Sequence, residues 1–226
     1  MISVILPTRD DEVPLAYALA ALVPAAAAGT VREVIVVDGG STDGTAAVAD
    51  AAGCRFLAGS GSLGADLAAA AELARSDWLL FISPHAVLEP TWQREAREFI
   101  ERTMMSGRGR LRAAVFRHAR AGYGWRERAA ELGAALRARL FLAPYHEEGL
   151  LVPRSLYREV GGHRALPALV DVDLARRIGR GRLTFLRARA VSSGEHAGVR
   201  RAARNAACLA LHALHVPPRL FGRLAA

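Results

Sequence analysis

Strand and helix patterns alternate through the first half of the chain, and this alternation restricts the fold more than any other feature of the sequence. Short apolar and β-branched runs predict strands, and apolar residues at three- and four-residue spacing between them predict helices. Strict alternation of strands and helices indicates an α/β fold, with a mostly parallel sheet and helices on both of its faces. The predicted strands are 3–7, 33–38, 54–58 and 78–83, and the predicted helices are 12–28, 42–52, 62–75 and 91–104.

The second half of the chain has a looser pattern. It follows the glycine-rich stretch "SGRGR" at 106–110, which we interpret as a loop inside one domain. A chain of 226 residues has room for one large α/β domain or two small ones. The predicted strands here are 113–118, 149–152 and 183–188, and the predicted helices are 125–142, 154–160, 170–179 and 198–215.

Cysteine usage and hydropathy exclude several classes of protein. Cys54 and Cys208 lie far apart in apolar runs, so we interpret them as small buried side chains and not as a disulfide or a zinc site. Nowhere do 18 uncharged apolar residues follow one another, and the N-terminus has no basic leader. These observations predict a cytoplasmic protein with no membrane span.

The charged residues are unevenly distributed. The net charge is +8, and all 30 basic residues are arginine, which indicates compositional drift. Residues 1–90 carry 4 arginines and 11 acids, a net charge of −7, whereas residues 91–226 carry 26 arginines and 11 acids, a net charge of +15. Because the basic half has neither a recognisable module nor interleaved aromatic residues, we predict no nucleic-acid partner.

The predicted C-terminal helix 198–215 is basic at its start and apolar afterwards. Arg200, Arg201 and Arg204 precede the run "AACLALHALHV". One interpretation is peripheral contact with anionic lipid at the inner face of the membrane. The other is a helix packed on the domain, which the pattern slightly favours.

The stretch "VIVVDGGSTDGT" at 34–45 ends a buried strand on an acid. A buried carboxylate is costly unless it has a partner, so Asp38 predicts either a ligand or a local hydrogen-bond partner. The glycines allow close approach of a ligand to the backbone, and Ser41 or Asp43 can cap the following helix. A tight strand-to-helix turn without a ligand is the alternative. The stretch is neither a dinucleotide fingerprint nor a P-loop. Ligands of open α/β sheets bind beyond the carboxyl ends of the strands. This rule also predicts ligand-binding residues at 7–9 and 83–85, at the ends of the first and fourth predicted strands.

Five segments of the chain, in their order and spacing, resemble family 2 glycosyltransferases with the GT-A fold. They are "SVILPTRDDE", "VIVVDGGSTDGTAAVA", "LLFIS", "APYHEEGLLVPRSLYREVGG" and "LVDVDLARRI". The chain looks most like a small bacterial branch with "VDGGSTDGT", a "PYGDQG"-like loop and a closing "VPP", here at 216–218. The resemblance implies one Rossmann-like GT-A domain over 1–226. In that domain 1–105 is the nucleotide-binding half, and 106–226 is the acceptor half with C-terminal helices.

The resemblance also implies an activity, which is inverting transfer of a sugar from a nucleotide-diphosphate donor to a sugar or lipid-linked acceptor. By likeness Asp171 is the general base for the acceptor hydroxyl. Asp173 lies about 200° further round the same helix and cannot face the same site. On its own pattern, Asp171 is more typical of a first-turn acid that interacts with the helix dipole. The resemblance assigns the donor to Pro7, Thr8, Glu12, Asp38, Gly39 and Asp43. The "PYHEEG" loop departs from the family's Gly-Asp-Gln run; Tyr145 and Glu148 in it are assigned to the acceptor, with a solvated turn as the alternative.

The chain departs from the family pattern at the metal site. Family members usually carry a metal-binding acid after the fourth strand, where "FISPHAVLEP" has His85. Imidazole suits manganese better than magnesium. A divalent metal, Mn or Mg, bound by His85 and His196 is one interpretation, and a loop histidine with a capping histidine is the other.

Two functional hypotheses follow. The first is an active, inverting glycosyltransferase of cytoplasmic orientation, with Asp171 as the base and an unknown sugar and acceptor. The second is a catalytically degenerate GT-A domain that binds a nucleotide sugar or serves as a scaffold in cell-envelope glycan synthesis. The second is motivated by His85 and by the stretch after the third strand, where only Ser60, Ser62 and Asp66 stand in for the family's polar residues.

Overall fold

Eight strands in the described part of the chain form one sheet. The computed structural model describes residues 1–107, 111–120, 148–166 and 169–192. The predicted helices 125–142 and 198–215 lie outside these ranges. The strands are β1 (Ile2–Thr8), β2 (Val31–Asp38), β3 (Arg55–Ala58), β4 (Trp78–Phe81), β5 (Ala86–Leu88), β6 (Ala113–Arg120), β7 (Leu150–Pro153) and β8 (Leu183–Ser192).

The first four strands are all parallel, which confirms the prediction made from the alternating pattern. The full strand order is β3-β2-β1-β4-β7-β6-β8-β5. β1 is central to the first half, with β2 on one side and β4 on the other. Strands from the second half continue the same sheet.

The other end of the sheet is mixed. β7 runs antiparallel to both of its neighbours, β4 and β6, while β6 and β8 are parallel. The short strand β5 pairs antiparallel with β8. It was not predicted, because three residues are too few to show a period. Four of the seven pairings are parallel, in agreement with the expected mostly parallel sheet.

Helices cover both faces of the sheet, as predicted. On one face Leu15 and Trp92 pack in a core with Val4, and on the other Leu67 and Leu174 pack in a core with Ile5. Alternate residues of β1 therefore point into different cores. The helices are α1 (Glu12–Ala27), α2 (Thr45–Ala51), α3 (Leu63–Leu73), α4 (Trp92–Met105), α5 (Arg154–Glu159) and α6 (Val170–Ile178), with a 3-10 turn at Arg180–Arg182.

The start of α2 differs from the prediction. The helix begins at Thr45 and not at residue 42, because the preceding backbone bonds to other groups. The N–H of Thr42 donates to Asp10, and the N–H of Gly44 donates to Glu12. These contacts hold 42–44 as a loop.

Among the residues that the structure describes, no helix combines the length and hydropathy needed to cross a bilayer.

Candidate functional site

The ends of three neighbouring strands and the start of a fourth lie at one side of the sheet, which we call the carboxyl edge. Thr8 and Asp38, the last residues of β1 and β2, are register partners, and the N–H of Gly39 donates to the Thr8 carbonyl at 2.8 Å. Phe81 ends β4 opposite Leu150, the first residue of the antiparallel β7. Loops at this edge are free of strand packing, which makes it the natural ligand-binding side of an open sheet.

Asp38 is buried and is bound by its own loop. Only 7% of its surface is exposed. Its Oδ2 accepts hydrogen bonds from the N–H groups of Gly40 and Ser41 at 3.2 and 3.0 Å, and its Oδ1 accepts from the Ser41 hydroxyl at 2.5 Å. The Thr8 hydroxyl lies 3.5 Å from Oδ1, at the limit of a hydrogen bond. The carboxylate thus has a local partner, and Ser41 binds Asp38 rather than capping α2.

Two glycines of this loop have distinct structural roles. Gly40 has a φ of +91°, in the left-handed region that favours glycine. A Cβ on Gly44 would lie 2.5 Å from the carboxyl carbon of Glu12, so a larger residue here would displace the Glu12 carboxylate from its present position. Gly40 thus serves the conformation of the loop, and Gly44 serves its contact with Glu12.

Residues 10–12 interlock with residues 42–45 through carboxylates and backbone N–H groups. Asp10 Oδ1 accepts from the N–H of Thr42 at 2.7 Å. Glu12 Oε2 accepts from the N–H of Gly44 at 3.0 Å, and Asp43 Oδ2 accepts from the N–H of Glu12 at 3.0 Å. The two loops thereby fix each other and hold several acids at the carboxyl edge.

Asp43 is also bound to the first residue of α2. Its Oδ1 accepts from the N–H and the hydroxyl of Thr45, at 3.0 and 2.5 Å. The side-chain hydrogen bond from Thr45 is the largest cause of a lowered pKa of the Asp43 carboxyl. Of the two residues proposed as caps of α2, Asp43 is the one that reaches the start of the helix.

His85 lies in the turn between β4 and β5 and pairs with Asp11. Its Nε2 is 2.9 Å from Asp11 Oδ1, and its N–H donates to the Ser83 hydroxyl at 3.2 Å. Burial raises the pKa of Asp11, but hydrogen bonds from His85 and from the N–H of Arg9 outweigh it and hold that pKa below its ordinary value. Within the described residues no group of three or more His, Cys, Asp or Glu side chains is arranged to hold a metal ion.

Asp171 lies in the first turn of α6, and its carboxylate meets a buried histidine. Asp171 is 6% exposed, and its Oδ1 is 3.3 Å from His163 Nε2. The other ring nitrogen of His163, Nδ1, is 3.0 Å from the Tyr157 hydroxyl. The His163 ring packs edge-on against Phe81, the last residue of β4, with ring centroids 4.7 Å apart. These contacts connect Asp171 through His163 to the last residue of β4.

Asp173 has different neighbours from Asp171. It accepts hydrogen bonds from Arg177 Nε and Nη2, at 2.9 and 2.5 Å. Arg177 in turn donates to the carbonyl oxygens of Val160 and Gly162. Asp173 therefore anchors the arginine that satisfies the carbonyls at and beyond the end of α5.

The remaining predicted residues are less connected to this group. Pro7 is half-buried in β1. Glu148 is buried at the start of β7, where its carbonyl accepts from the N–H of Phe116 at 3.2 Å. Tyr145 and His196 lie outside the described residues.

The polar residues after β3 bind one another. Asp66 is buried, and its Oδ1 accepts from the N–H and the hydroxyl of Ser60 at 2.9 and 2.6 Å. This pair closes the loop that leads into α3.

Tyr157 and His163 were not singled out from the sequence. They come from α5 and from the loop after it, and they meet Asp171 of α6 only in the folded chain. A polar residue directly after the paired glycines of "VGGH" was the one available signal.

Comparison with known proteins agrees with the fold. The sequence model described as glycosyl transferase family 2 matches residues 3–125. No curated protein sequence matches the chain significantly. Glucosyl-3-phosphoglycerate synthase from Mycobacterium tuberculosis, in complex with Mn²⁺ and UDP-glucose, superposes with a TM-score of 0.65 at 21% identity, covering 96% of this chain and 80% of that one.

A second solved structure is similar over nearly the whole chain as well. A mannosyltransferase from Pyrobaculum calidifontis, in complex with GDP-Man and Mn²⁺, has a TM-score of 0.69 at 17% identity, and the match covers 99% of this chain and 67% of that one. At these identities the similarity is one of fold.

Proposed function

The chain belongs to glycosyl transferase family 2 and has the GT-A fold, and from this premise we propose that it transfers a sugar from a nucleotide-diphosphate donor to a hydroxyl acceptor with inversion. The observation that carries the proposal is the pairing of Thr8 with Asp38 at the ends of β1 and β2, together with the contacts that connect Asp171 through His163 to Phe81, the last residue of β4. The structural neighbours that contain UDP-glucose and GDP-Man support a nucleotide-sugar donor.

The donor site is assigned to the two interlocked loops, at Pro7, Thr8, Glu12, Asp38, Gly39 and Asp43. An ionised carboxylate has about four lone-pair sites, so these acids can bind a ligand in addition to the backbone N–H groups that they already accept. A base imino group and ribose hydroxyls are donors that suit them. The mutual bonding of the loops supports a site that is rigid before the ligand arrives.

Asp171 is assigned as the general base. Its carboxylate takes the proton of the acceptor hydroxyl while the acceptor oxygen bonds to the anomeric carbon of the sugar. The bond from that carbon to the diphosphate oxygen breaks, and the electron pair leaves with the nucleoside diphosphate. The burial of Asp171, which shields its carboxylate from water, supports this assignment.

A divalent cation is assigned to the same side of the sheet. His85 and Asp11 supply one nitrogen and one oxygen donor there, a pair that suits manganese better than magnesium. Two donors are fewer than a cation needs, so His196 and ligand oxygens would complete the set. Bound there, the cation would offset the charge of the departing diphosphate. Neighbours that contain Mn²⁺ support a metal.

The acceptor is assigned to Tyr145 and Glu148, and a sugar or lipid-linked hydroxyl is the proposed substrate class. A cytoplasmic location with peripheral contact at the inner face of the membrane, through the basic helix predicted at 198–215, completes the proposal. Its support is the net charge of +15 over residues 91–226.

A donor panel tests the transferase function. Purified protein is incubated with UDP-, GDP- and dTDP-sugars and simple acceptors, with Mn²⁺ or Mg²⁺, and release of nucleoside diphosphate is measured. We expect turnover with one donor class, and we expect Asp171→Asn to lower kcat at least 100-fold, which is the scale of general-base catalysis. Asp50→Asn, an exposed carboxylate on α2, is the matched control and should leave kcat unchanged. No turnover with any donor and metal would refute the transferase.

A binding protein without turnover is the second candidate. It is favoured by the Ser60–Asp66 pair, which uses the polar groups after β3 internally, and by the His85–Asp11 pair in place of a metal acid. Calorimetry with the same donors separates the two functions. Donor binding that persists in Asp171→Ala, with no turnover in either protein, would favour this candidate.

A further inference from the structure

A buried chain of three polar side chains ends on Asp171. The Tyr157 hydroxyl meets His163 Nδ1 at 3.0 Å, and His163 Nε2 meets Asp171 Oδ1 at 3.3 Å. The His163 side chain has no exposed surface. Buried polar groups need hydrogen-bond partners. Each of the two ring nitrogens of His163 has one, in Tyr157 and in Asp171.

The donors around the imidazole favour one tautomer. The Tyr157 oxygen accepts the backbone N–H of His163 at 2.9 Å, and it still has its own proton to donate. We assign that proton to the hydrogen bond with Nδ1, which is then the acceptor. In a neutral imidazole the proton then lies on Nε2, and Nε2 donates to the carboxylate of Asp171.

We propose that His163 is a positioning residue for sugar transfer: a neutral imidazole, kept in its Nε2–H form by Tyr157, donates to Asp171 Oδ1 and orients that carboxylate towards the acceptor hydroxyl. This inference rests on the proposed function, since it needs Asp171 to be the base. A carboxylate has about four lone-pair sites, so one bond from His163 fixes its rotation and leaves capacity for the acceptor proton.

Packing alone does not call for a histidine at this position. The ring of His163 lies edge-on to Phe81 and 5.6 Å from the ring centroid of Tyr157. A phenylalanine would fill the same aromatic space without a donor. His163→Phe therefore removes the hydrogen bonds while it keeps the volume.

Charged groups from two helices face this chain of side chains. Asp171 and Arg177 of α6 act on the Tyr157 hydroxyl, as does Glu72 of α3. Burial is the largest influence and raises the pKa of Tyr157 to about 12, so the hydroxyl keeps its proton through the neutral range. Tyr157 therefore retains a proton that it can donate throughout the pH range of an assay.

The first test reads the tautomer directly and needs no turnover. In ¹⁵N-labelled full-length protein, long-range nitrogen–proton correlation spectra distinguish a protonated from an unprotonated ring nitrogen. We expect His163 to carry its proton on Nε2 and to become a tautomer mixture in Tyr157→Phe. A proton on Nδ1 in the wild-type protein would overturn the proposal.

The second test reads catalysis through pH profiles of kcat and through KM for the donor. His163→Phe should lower kcat about 10-fold or more with KM for the donor within about twofold, because the lost bond serves the base and not donor binding. Its acid limb should move to higher pH, since a buried carboxylate without this donor is harder to ionise. His163→Gln, which retains an N–H donor, should recover most of kcat.

The outcomes separate this inference from the proposed function. His163→Phe that is folded by thermal melting, with the kcat and pH profile of the wild type beside an inactive Asp171→Asn, would overturn the positioning role alone. Full activity of Asp171→Asn would overturn the base itself and the positioning role with it.

Discussion

Asp11 links two loops at the carboxyl edge and shows how single residues there are held. Its Oδ2 accepts the N–H of Arg9 at 2.9 Å while its Oδ1 contacts His85. These bonds outweigh burial and lower the pKa of Asp11 in the folded state. Since the folded-state pKa is depressed, ionised Asp11 stabilises the fold above its unfolded-state pKa, and this contribution is lost as pH falls through the folded-state value.

Asp11→Asn tests this at the scale of one residue. We expect the free energy of unfolding at pH 7 to fall by about 0.5 to 1 kcal/mol, a small value because partial exposure screens the pair. The difference from the wild type should shrink in strong acid, at a pH below the lowered folded-state pKa of Asp11, where this carboxyl is protonated in both states. Urea unfolding at both pH values measures it, with Asp50→Asn as the exposed control. An equal difference at both pH values would contradict the assignment.

Two elements, α3 and the segment before α6, approach each other closely at a glycine. A Cβ on Gly64, in the first turn of α3, would overlap the carbonyl oxygen of Arg164 and come within 3.2 Å of Val170 Cγ1. Backbone therefore packs on backbone here. The contact fixes the segment between His163 and Asp171 against the helix that follows β3.

Gly64→Ala tests that contact at the scale of elements. Helix propensity alone would favour alanine by up to about 1 kcal/mol. We expect the opposite, a loss of about 1 to 3 kcal/mol in the free energy of unfolding, because the backbones must separate. The matched control is Gly181→Ala, where an added Cβ meets nothing within 4 Å. If Gly64→Ala is as stable as the wild type in urea unfolding, then α3 and the backbone at Arg164 can separate without loss of free energy, and the prediction is wrong.

Across the whole molecule, local elements were predicted from the sequence, whereas contacts between distant segments were not. Alternating patterns predicted β1 to β4 and their parallel orientation, because each strand and helix has its own local period. The antiparallel insertion of β7 between β4 and β6 was not predicted, since strand neighbours from distant segments leave no periodic signal. At the site, Asp38 was identified by its cost of burial, but its partner Ser41 was read as a helix cap. Tyr157 and His163 were missed because only tertiary contacts bring them to Asp171.

Charge asymmetry leads to a prediction for the molecule as a whole. Flotation with vesicles of anionic phospholipid should recover the protein at low salt and lose most of it at high salt, since attraction amounts to about 1 kcal/mol per arginine near the surface and is screened by ions. Replacing Arg200, Arg201 and Arg204 by serine should abolish flotation. The control replaces Arg75, Arg94 and Arg102, which are exposed in the described part of the chain. A protein that never floats rules out the membrane contact.

The bond between the N–H of Phe116 and the Glu148 carbonyl anchors β6 to the start of β7, and residues 121–147 begin and end at strands joined in this way. Insertions between two strands that are held together in this way cost little entropy, because closing a longer connection adds only slowly to the free energy. We therefore expect the sheet to tolerate a change in the number of residues between positions 120 and 148.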